Sequence, residues 1–299
     1  MGVRKIMEGL RRCNLCAYNC NVDRLNGKFG RCKSGKDMKI ALASVHEYEE
    51  PCISGENGSG TIFFTNCNLN CIYCQNYEIS QLGKGNVVTI QELADIMLTQ
   101  QAKGVNNINL VTPTMYVYQI TEAIRIARKN GLNIPIIYNT NGYENVETIK
   151  KLDGYIDVYL PDLKYYSNDM SKKYSNVNNY FNVATETIKE MIKQVGMPIF
   201  NENGIIQKGV IIRHLILPGH TQNTKNILKW IKENLPKEIY VSVMAQYFPT
   251  YKAKEDKYLN RKISKKEYKE IENYLYLLNI ENGYIQELGE HEEEYVPKF

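Results

Sequence analysis

No apolar run in this sequence is long enough to cross a bilayer, because the hydrophobic stretches break at Arg213, at Thr112 and at tyrosines. That argues against a membrane partner. A strong charge excess is also missing: the net charge is +4 over 299 residues and the sequence pI is about 8.4. Nucleic-acid readers usually have a domain pI above about 9 and clustered basic residues, so no nucleic-acid partner is expected. Lys and Arg are scattered except in the segment 252–266, which reads as solvated surface. There is no internal repeat and no low-complexity tract, which excludes solenoids and propellers. Met1–Arg12 is too polar for a signal peptide, and Ile6 stands where a myristoylation motif needs Ser or Thr. Asn57-Gly58-Ser59 reads as a chance glycosylation sequon. A chain of this length buries roughly 75% of its unfolded surface and needs no disulfide staples. Cysteines in tight clusters then point to metal chemistry in a reducing compartment. The expectation is a soluble, cytoplasmic protein.

What is present is concentrated in cysteine. Seven of the eight cysteines fall in two groups. The second group, Cys67-x3-Cys71-x2-Cys74, places three thiols within eight residues. So short a stretch must wrap back on itself and aim its sulfurs at one point. Soft thiolates select zinc, Cu(I) or iron–sulfur clusters over magnesium and calcium. Three protein ligands leave one metal position open, which distinguishes a catalytic metal from a structural one. A zinc site completed by a distant ligand, or three unrelated thiols, is the plainer alternative, though the spacing matches neither zinc-knuckle pairs nor a disulfide framework.

The first group is Cys13, Cys16, Cys20 and Cys32, with Gly27, Gly30 and Gly35 interspersed. Four thiols close a coordination sphere, so this second site is structural or electron-transferring, and both zinc and an iron–sulfur cluster are open. The remaining thiol, Cys52, stands alone. It reads either as a small buried hydrophobe or as a weak catalytic candidate just upstream of the cysteine loop.

From Thr61 onward the chain alternates strand and helix. Strands are expected at Thr61–Thr65, Asn107–Val111, Ile134–Tyr138, Ile156–Leu160, Val210–Leu217 and Ile239–Met244, most of them continuously apolar, as strands covered on both faces should be. Lys39–His46 reads as a short strand before them. Between the strands lie helical periods, two opened by capping boxes, Thr89-x-x-Glu92 and Ser264-x-x-Glu267. Six such units with right-handed crossovers predict an α/β fold, a partial (β/α)6 TIM-like barrel. The expected division is a small Cys-rich N-terminal metal-binding piece at 1–59, the barrel core at 60–250, and a C-terminal helix and tail at 251–299 packed on the core. A polar turn follows every strand: the cysteine loop, Thr112-Pro113-Thr114, Asn139-Thr140-Asn141-Gly142, Asp162 with Lys164, Leu217-Pro218-Gly219-His220, and Gln246-Tyr247-Phe248-Pro249. Carboxyl-terminal strand ends share one face in such barrels, and chemistry is done there. His214 and His220 read either way, and His46 and His291 as surface. The 23 tyrosines read as core filling.

The C-x3-C-x2-C loop with Tyr73 before its third cysteine resembles the signature of the radical S-adenosylmethionine (SAM) enzymes. The resemblance implies that Cys67, Cys71 and Cys74 hold a [4Fe–4S] cluster, that SAM occupies the fourth iron, and that one electron splits SAM to methionine and a 5′-deoxyadenosyl radical. Residues 60–247 are similar to activases of the pyruvate formate-lyase activating type, and the whole chain to an uncharacterised branch described as activating-enzyme-like. By that resemblance Asn139, Thr140 and Asn141 contact SAM, with Asn139 replacing an acid, and Lys164 of Asp162-Leu163-Lys164 approaches it. Tyr73, Arg213 and Gln246 join the expected cofactor-binding set. Thr112 and Thr114 stand where the family carries Gly-Gly-Glu; their hydroxyls accept an ammonium's hydrogen bonds but bring no charge. The resemblance implies a radical SAM oxidoreductase, activating a glycyl radical enzyme or modifying a peptide or small molecule, and reduced by a flavodoxin- or ferredoxin-type donor. The shared iron–sulfur machinery tilts the front site toward a second cluster. A non-enzymatic iron–sulfur or zinc module is the remaining alternative.

Overall fold

The computed structural model describes residues 7–288 and Phe299; His291, the rest of the expected tail and residues 1–6 lie outside the described residues. Among the described residues ten strands form one mixed sheet. They are β1 (Met38–His46), β2 (Ser59–Phe64), β3 (Asn86–Val88), β4 (Ile108–Val111), β5 (Ile136–Thr140), β6 (Val158–Pro161), β7 (Ile199–Phe200), β8 (Ile206–Leu215), β9 (Tyr240–Met244) and β10 (Gly283–Ile285). The strand order is β10-β9-β8-β6-β5-β4-β2-β1-β3, with β7 paired to β8, so the sheet stays open. From β2 to β10 all neighbours on this path are parallel. β1 turns antiparallel against β2, and β3 against β1.

The helices are α1 (Pro51–Ser54), α2 (Tyr77–Ser80), α3 (Ile90–Ala102), α4 (Val117–Lys129), α5 (Val146–Lys150), α6 (Asn168–Ser175), α7 (Tyr180–Val195), α8 (Thr221–Asn234) and α9 (Lys265–Leu278). Both expected capping boxes form. Thr89 Oγ1 accepts from the Glu92 amide at 3.1 Å while Glu92 Oε2 accepts from the Thr89 amide at 2.7 Å. Ser264 and Glu267 repeat the exchange at the start of α9. Each such cap is worth about 1 kcal/mol.

All six expected parallel strands are present, and the open α/β sheet is that of a partial barrel. A seventh parallel strand, β10, has only three residues and opens with Gly283, where a Cβ would collide with the Val241 backbone. Glycine there reads as a turn in sequence and serves in space as a close approach between strands. α6 was also hidden, because in Asn-Asp-Met-Ser-Lys-Lys-Tyr-Ser the apolar face is a single pair, Met170 and Tyr174. The strand β1 of the Cys-rich front segment joins the same sheet, and Leu10 and Leu15 share the main core.

Strand alternation sets the two faces. Ile136, Tyr138, Tyr159, Val210 and Ile212 join the main core with the flanking helices. Their neighbours Ile137, Val158, Leu160 and Ile211 form a separate inner cluster closed by Cys52 and Ile53 of α1. Two residues further along, each inward row becomes polar: Ile137 leads to Asn139, Leu160 to Asp162, Ile211 to Arg213. The barrel thus has an apolar floor and a polar mouth.

Candidate functional site

The cysteine loop leaves β2 through Asn66, whose φ of 69° makes the reversal that the short spacing demands. Neighbouring turns hold it from several sides. The Ile72 amide donates to Tyr174 O at 2.9 Å and the Asn70 amide to Ser175 O at 3.1 Å, both at the end of α6. Asn68 Nδ2 donates to Tyr143 O at 2.7 Å, and the Ala253 amide to Ile72 O at 2.9 Å. Cys67, Cys71 and Cys74 line one cavity of about 180 Å³ together with Tyr73, Asn139, Asn141 and Lys164. Each sulfur has a polar neighbour: Asn141 Nδ2 donates to Cys67 Sγ at 3.3 Å, Ser175 Oγ lies 2.8 Å from Cys71 Sγ, and Ser80 Oγ lies 3.1 Å from Cys74 Sγ. Burial, then the neighbouring thiols, push Cys67 up and Cys74 up to about 11. Burial also raises Cys71, with Lys164 pulling the other way. A cation-bearing cofactor reverses such shifts, since it binds only thiolates.

Among the described residues no three His, Cys, Asp or Glu side chains stand in geometry for a single ion. A four-iron cube holds its thiolates further apart than one ion does, and soft thiolates are its ligands. Three thiols on one cavity wall, with no fourth Cys or His among its lining residues, fit a cluster with one free corner. The front cysteines Cys13, Cys16, Cys20 and Cys32 also share a cavity, of only about 20 Å³. Arg24 Nη1 approaches Cys13 Sγ at 3.7 Å, and burial pushes Cys16 up to about 12.

Of the expected cofactor contacts, Tyr73, Thr112, Asn139, Thr140, Asn141, Asp162, Lys164, Arg213 and Gln246 line the cysteine cavity. Thr112 is held at φ 59°, a costly conformation for a β-branched residue and one that clusters at functional sites. Gly142 closes its turn because a Cβ would collide with Asp162 O. Thr114 is not on the wall: its hydroxyl is turned behind the strand ends, donating to Glu144 Oε1 at 2.6 Å. Cys52 is also elsewhere, 2% exposed on the inner apolar floor with its thiol pushed up to about 11 by burial. His214 is a buried strut, with Nδ1 on Leu163 O at 2.6 Å and Nε2 on Thr224 Oγ1 at 2.9 Å, and burial lowers it to about 4. His46, expected at the surface, lines the second cavity.

Several site groups had no signal in the sequence. The tyrosines do more than fill: Tyr73 OH meets Tyr165 OH at 2.6 Å, Tyr165 OH meets Ser175 Oγ at 2.6 Å, and Ser175 reaches Cys71. Glu144 is buried with Oε2 unpartnered, while Oε1 accepts from Thr114, Thr140 and Tyr138. Burial pushes its carboxyl up to about 7, and the three hydroxyls hold it from rising further. An acid whose pKa rises on folding costs stability as pH climbs from its unfolded value toward its folded one. Glu144→Gln is therefore expected to melt progressively higher relative to the parent as pH rises from 5.5 to 8; a gap that stays constant with pH would refute the assignment.

A second cavity, of about 310 Å³, opens inward from the first and shares Gln75, Asn139, Arg213 and Gln246 with it. Glu49 and Glu50, just before α1, line it opposite Arg213. Arg213 Nη1 lies 3.1 Å from Glu49 Oε2 and 3.9 Å from Glu50 Oε2, and Arg213 Nε 3.4 Å from Asp162 Oδ1. Asp162 Oδ2 holds Lys164 Nζ at 2.6 Å. Burial opposes ionisation of Asp162, but Lys164 and Arg213 outweigh it and keep the carboxyl below its usual range.

A family model described as the radical SAM superfamily matches residues 61–231. The uncharacterized protein MJ0674 of Methanocaldococcus jannaschii is 34% identical over 277 residues, covering 89% of this chain and 74% of that one. The pyruvate formate-lyase-activating enzyme of Clostridium pasteurianum is 22% identical over 200 residues, covering 64% of this chain and 75% of that one. Among solved structures, Streptococcus suis SuiB bound to S-adenosylmethionine superposes with a TM-score of 0.51 at 17% identity over 75% of this chain, which spans 48% of SuiB. SuiB has also been solved bound to the precursor peptide SuiA, with the same TM-score of 0.51.

Proposed function

The chain belongs to the radical SAM superfamily, and from that premise we propose that Cys67, Cys71 and Cys74 hold a [4Fe–4S] cluster at which SAM is reductively cleaved. When bound, the cluster and SAM supply a 5′-deoxyadenosyl radical that takes a hydrogen atom from the substrate. The observation that carries the reading is the shared wall: three thiols with no fourth Cys or His line a cavity that opens directly into a second, polar one. The chain's own groups bind and orient. Asn139 and Lys164 offer donors to a carboxylate, and Thr112 and Asn139 offer acceptors to an ammonium group, while Asn141, whose amide already donates to Cys67 and Asn68, holds the loop. The Tyr251–Glu255 turn packs on the loop, with Tyr251 stacked on Tyr77 at 4.8 Å and the Ala253 amide on Ile72 O. Reconstituted protein given dithionite and SAM is expected to release 5′-deoxyadenosine. No release from protein with full iron and sulfide content would reject the reading.

The inner cavity favours a compact substrate, a small molecule or one residue of a peptide, and SuiB bound to its precursor peptide supports the latter as a class. The likeness to the Clostridium activating enzyme supports a glycyl-radical-enzyme activase as the second reading. The front cysteines are read as a second metal site. Four thiols around one cavity suit a closed coordination sphere, that of zinc or of a second iron–sulfur cluster. Final closure of such ligands is coupled to metal binding. Elemental analysis is expected to find metal beyond the four irons of the first cluster, zinc or further iron, lost in Cys32→Ser; no metal beyond those four irons would reject the second site.

A further inference from the structure

We propose that the inner cavity recognises its substrate through a positively charged nitrogen, an ammonium or guanidinium, seated against Glu49 and Glu50. The inference deepens the reading above and rests on it, since it names what the radical would act upon.

The argument begins with charge. Lys164, Asp162, Arg213, Glu49 and Glu50 form one continuous buried row from the cysteine cavity into the inner one. Among the described residues three carboxylates face two cations, so one negative charge has no match. His46 is disfavoured as the missing cation, since burial, then Arg213, lower its pKa. Among the described residues Arg213 is the only Lys or Arg lining this cavity. The least closely held member is Glu50. It is 8% exposed and lines the cavity, and its Oε2 has no hydrogen-bond partner, Arg213 standing off at 3.9 Å. Glu49 is already engaged by Arg213 and by Asn109 Nδ2 at 3.0 Å. A buried carboxylate oxygen with no hydrogen bond and one shared, distant cation is costly, and a folded chain retains one where something else supplies the missing donor.

The rest of the wall fits such a ligand. At about 310 Å³ the cavity is at the small end of ligand sites, the size of an amino acid or one long side chain. Asn139 and Gln246, on the wall shared with the cysteine cavity, face the other end of a molecule anchored at Glu50. The excess charge also has a resting solution. Burial pushes Glu49 up to about 7, Arg213 opposes this, and Glu50 and Asp162 reinforce it. A cation would displace that proton, so its binding tightens as pH rises through about 7 while Arg213, Lys164 and Asp162 stay ionised.

The test is calorimetric titration of the reconstituted holoprotein with n-butylamine, with its neutral and anionic counterparts n-butanol and butyrate, with free L-lysine, and with the capped tripeptide acetyl-Ala-Lys-Ala-amide. The cationic probes are expected to bind at least tenfold more tightly than the neutral and anionic ones, and more tightly at pH 8 than at pH 6. Glu50→Gln is expected to remove that preference, and Glu49→Gln to weaken it and abolish its pH dependence. Free lysine and the tripeptide separate a small amine from a basic residue of a peptide; tighter binding of either supports the cation. Equal binding of butylamine and butanol, no binding of any probe, or a preference unchanged in both variants would overturn the proposal. Release of 5′-deoxyadenosine by the parent protein is measured separately, so failure of the radical SAM reading and failure of the cation site are told apart.

Discussion

Cys71→Ala is expected to abolish 5′-deoxyadenosine release while leaving the fold intact. The three thiols share a single cavity wall, and no other Cys or His lines it to take a lost ligand's place. Removing one thiolate leaves two irons open instead of one, and the cluster should be under-occupied. The substitution deletes one sulfur at a site 9% exposed, a small change in packed volume, so the metal-free chain should melt close to the parent. Ser175→Ala makes the discriminating comparison. It removes the hydroxyl 2.8 Å from the same sulfur and interrupts the chain from Tyr165, without removing a ligand. Loss of an outer partner typically costs roughly 10–100-fold. The expected order is therefore a partial loss in Ser175→Ala and a loss well beyond that range in Cys71→Ala, together with a fall in bound iron. Full iron content and substantial release in Cys71→Ala would remove Cys71 from the ligand set.

What the sequence disclosed and what it hid divide along chain distance. The cysteine loop, the Asn139–Gly142 turn and Asp162 with Lys164 are short motifs whose partners lie on the same face by the rules of parallel sheets. Glu49 and Glu50 had no such rule. They precede Pro51 in what reads as a charged connection, and their partner Arg213 is 164 residues from Glu49. Only the placement of β1 beside β2 and the tuck of α1 into the barrel floor bring them together. Thr114 was legible as a polar residue after a strand but not as one facing backward, because the turn at Thr112 with its positive φ decides which hydroxyl meets the cavity. The tyrosines failed for a different reason. Composition reports how many there are, while the hydroxyl chain from Tyr73 to Cys71 needs α6 in position, and only the Met170–Tyr174 pair announces α6.

Arg213→Met is expected to destabilise the protein by about 3–5 kcal/mol at pH 8, the usual cost of removing one partner from a buried ion pair. The guanidinium is 18% exposed and stands between Asp162, Glu49 and Glu50. Without it two carboxylates lose their main countercharge, and only Asp162 keeps one, through Lys164. The sign of the pH dependence follows. Removing the cation raises the folded-state pKa of Glu49, already at about 7, so a proton restores neutrality more readily as pH falls. The deficit should be largest at pH 8 and shrink toward pH 5.5, read as the denaturant midpoint of each variant. Adding Glu49→Gln to Arg213→Met should recover part of the loss, giving a coupling that two independent sites would not show. Lysine is no substitute, since a point charge cannot reach Asp162 and Glu49 together as the planar fork does. An Arg213→Met protein that unfolds at the parent's midpoint at pH 8 would mean that the row carries no net interaction, and the excess carboxylate at Glu50 would then have no electrostatic reason to await a cation.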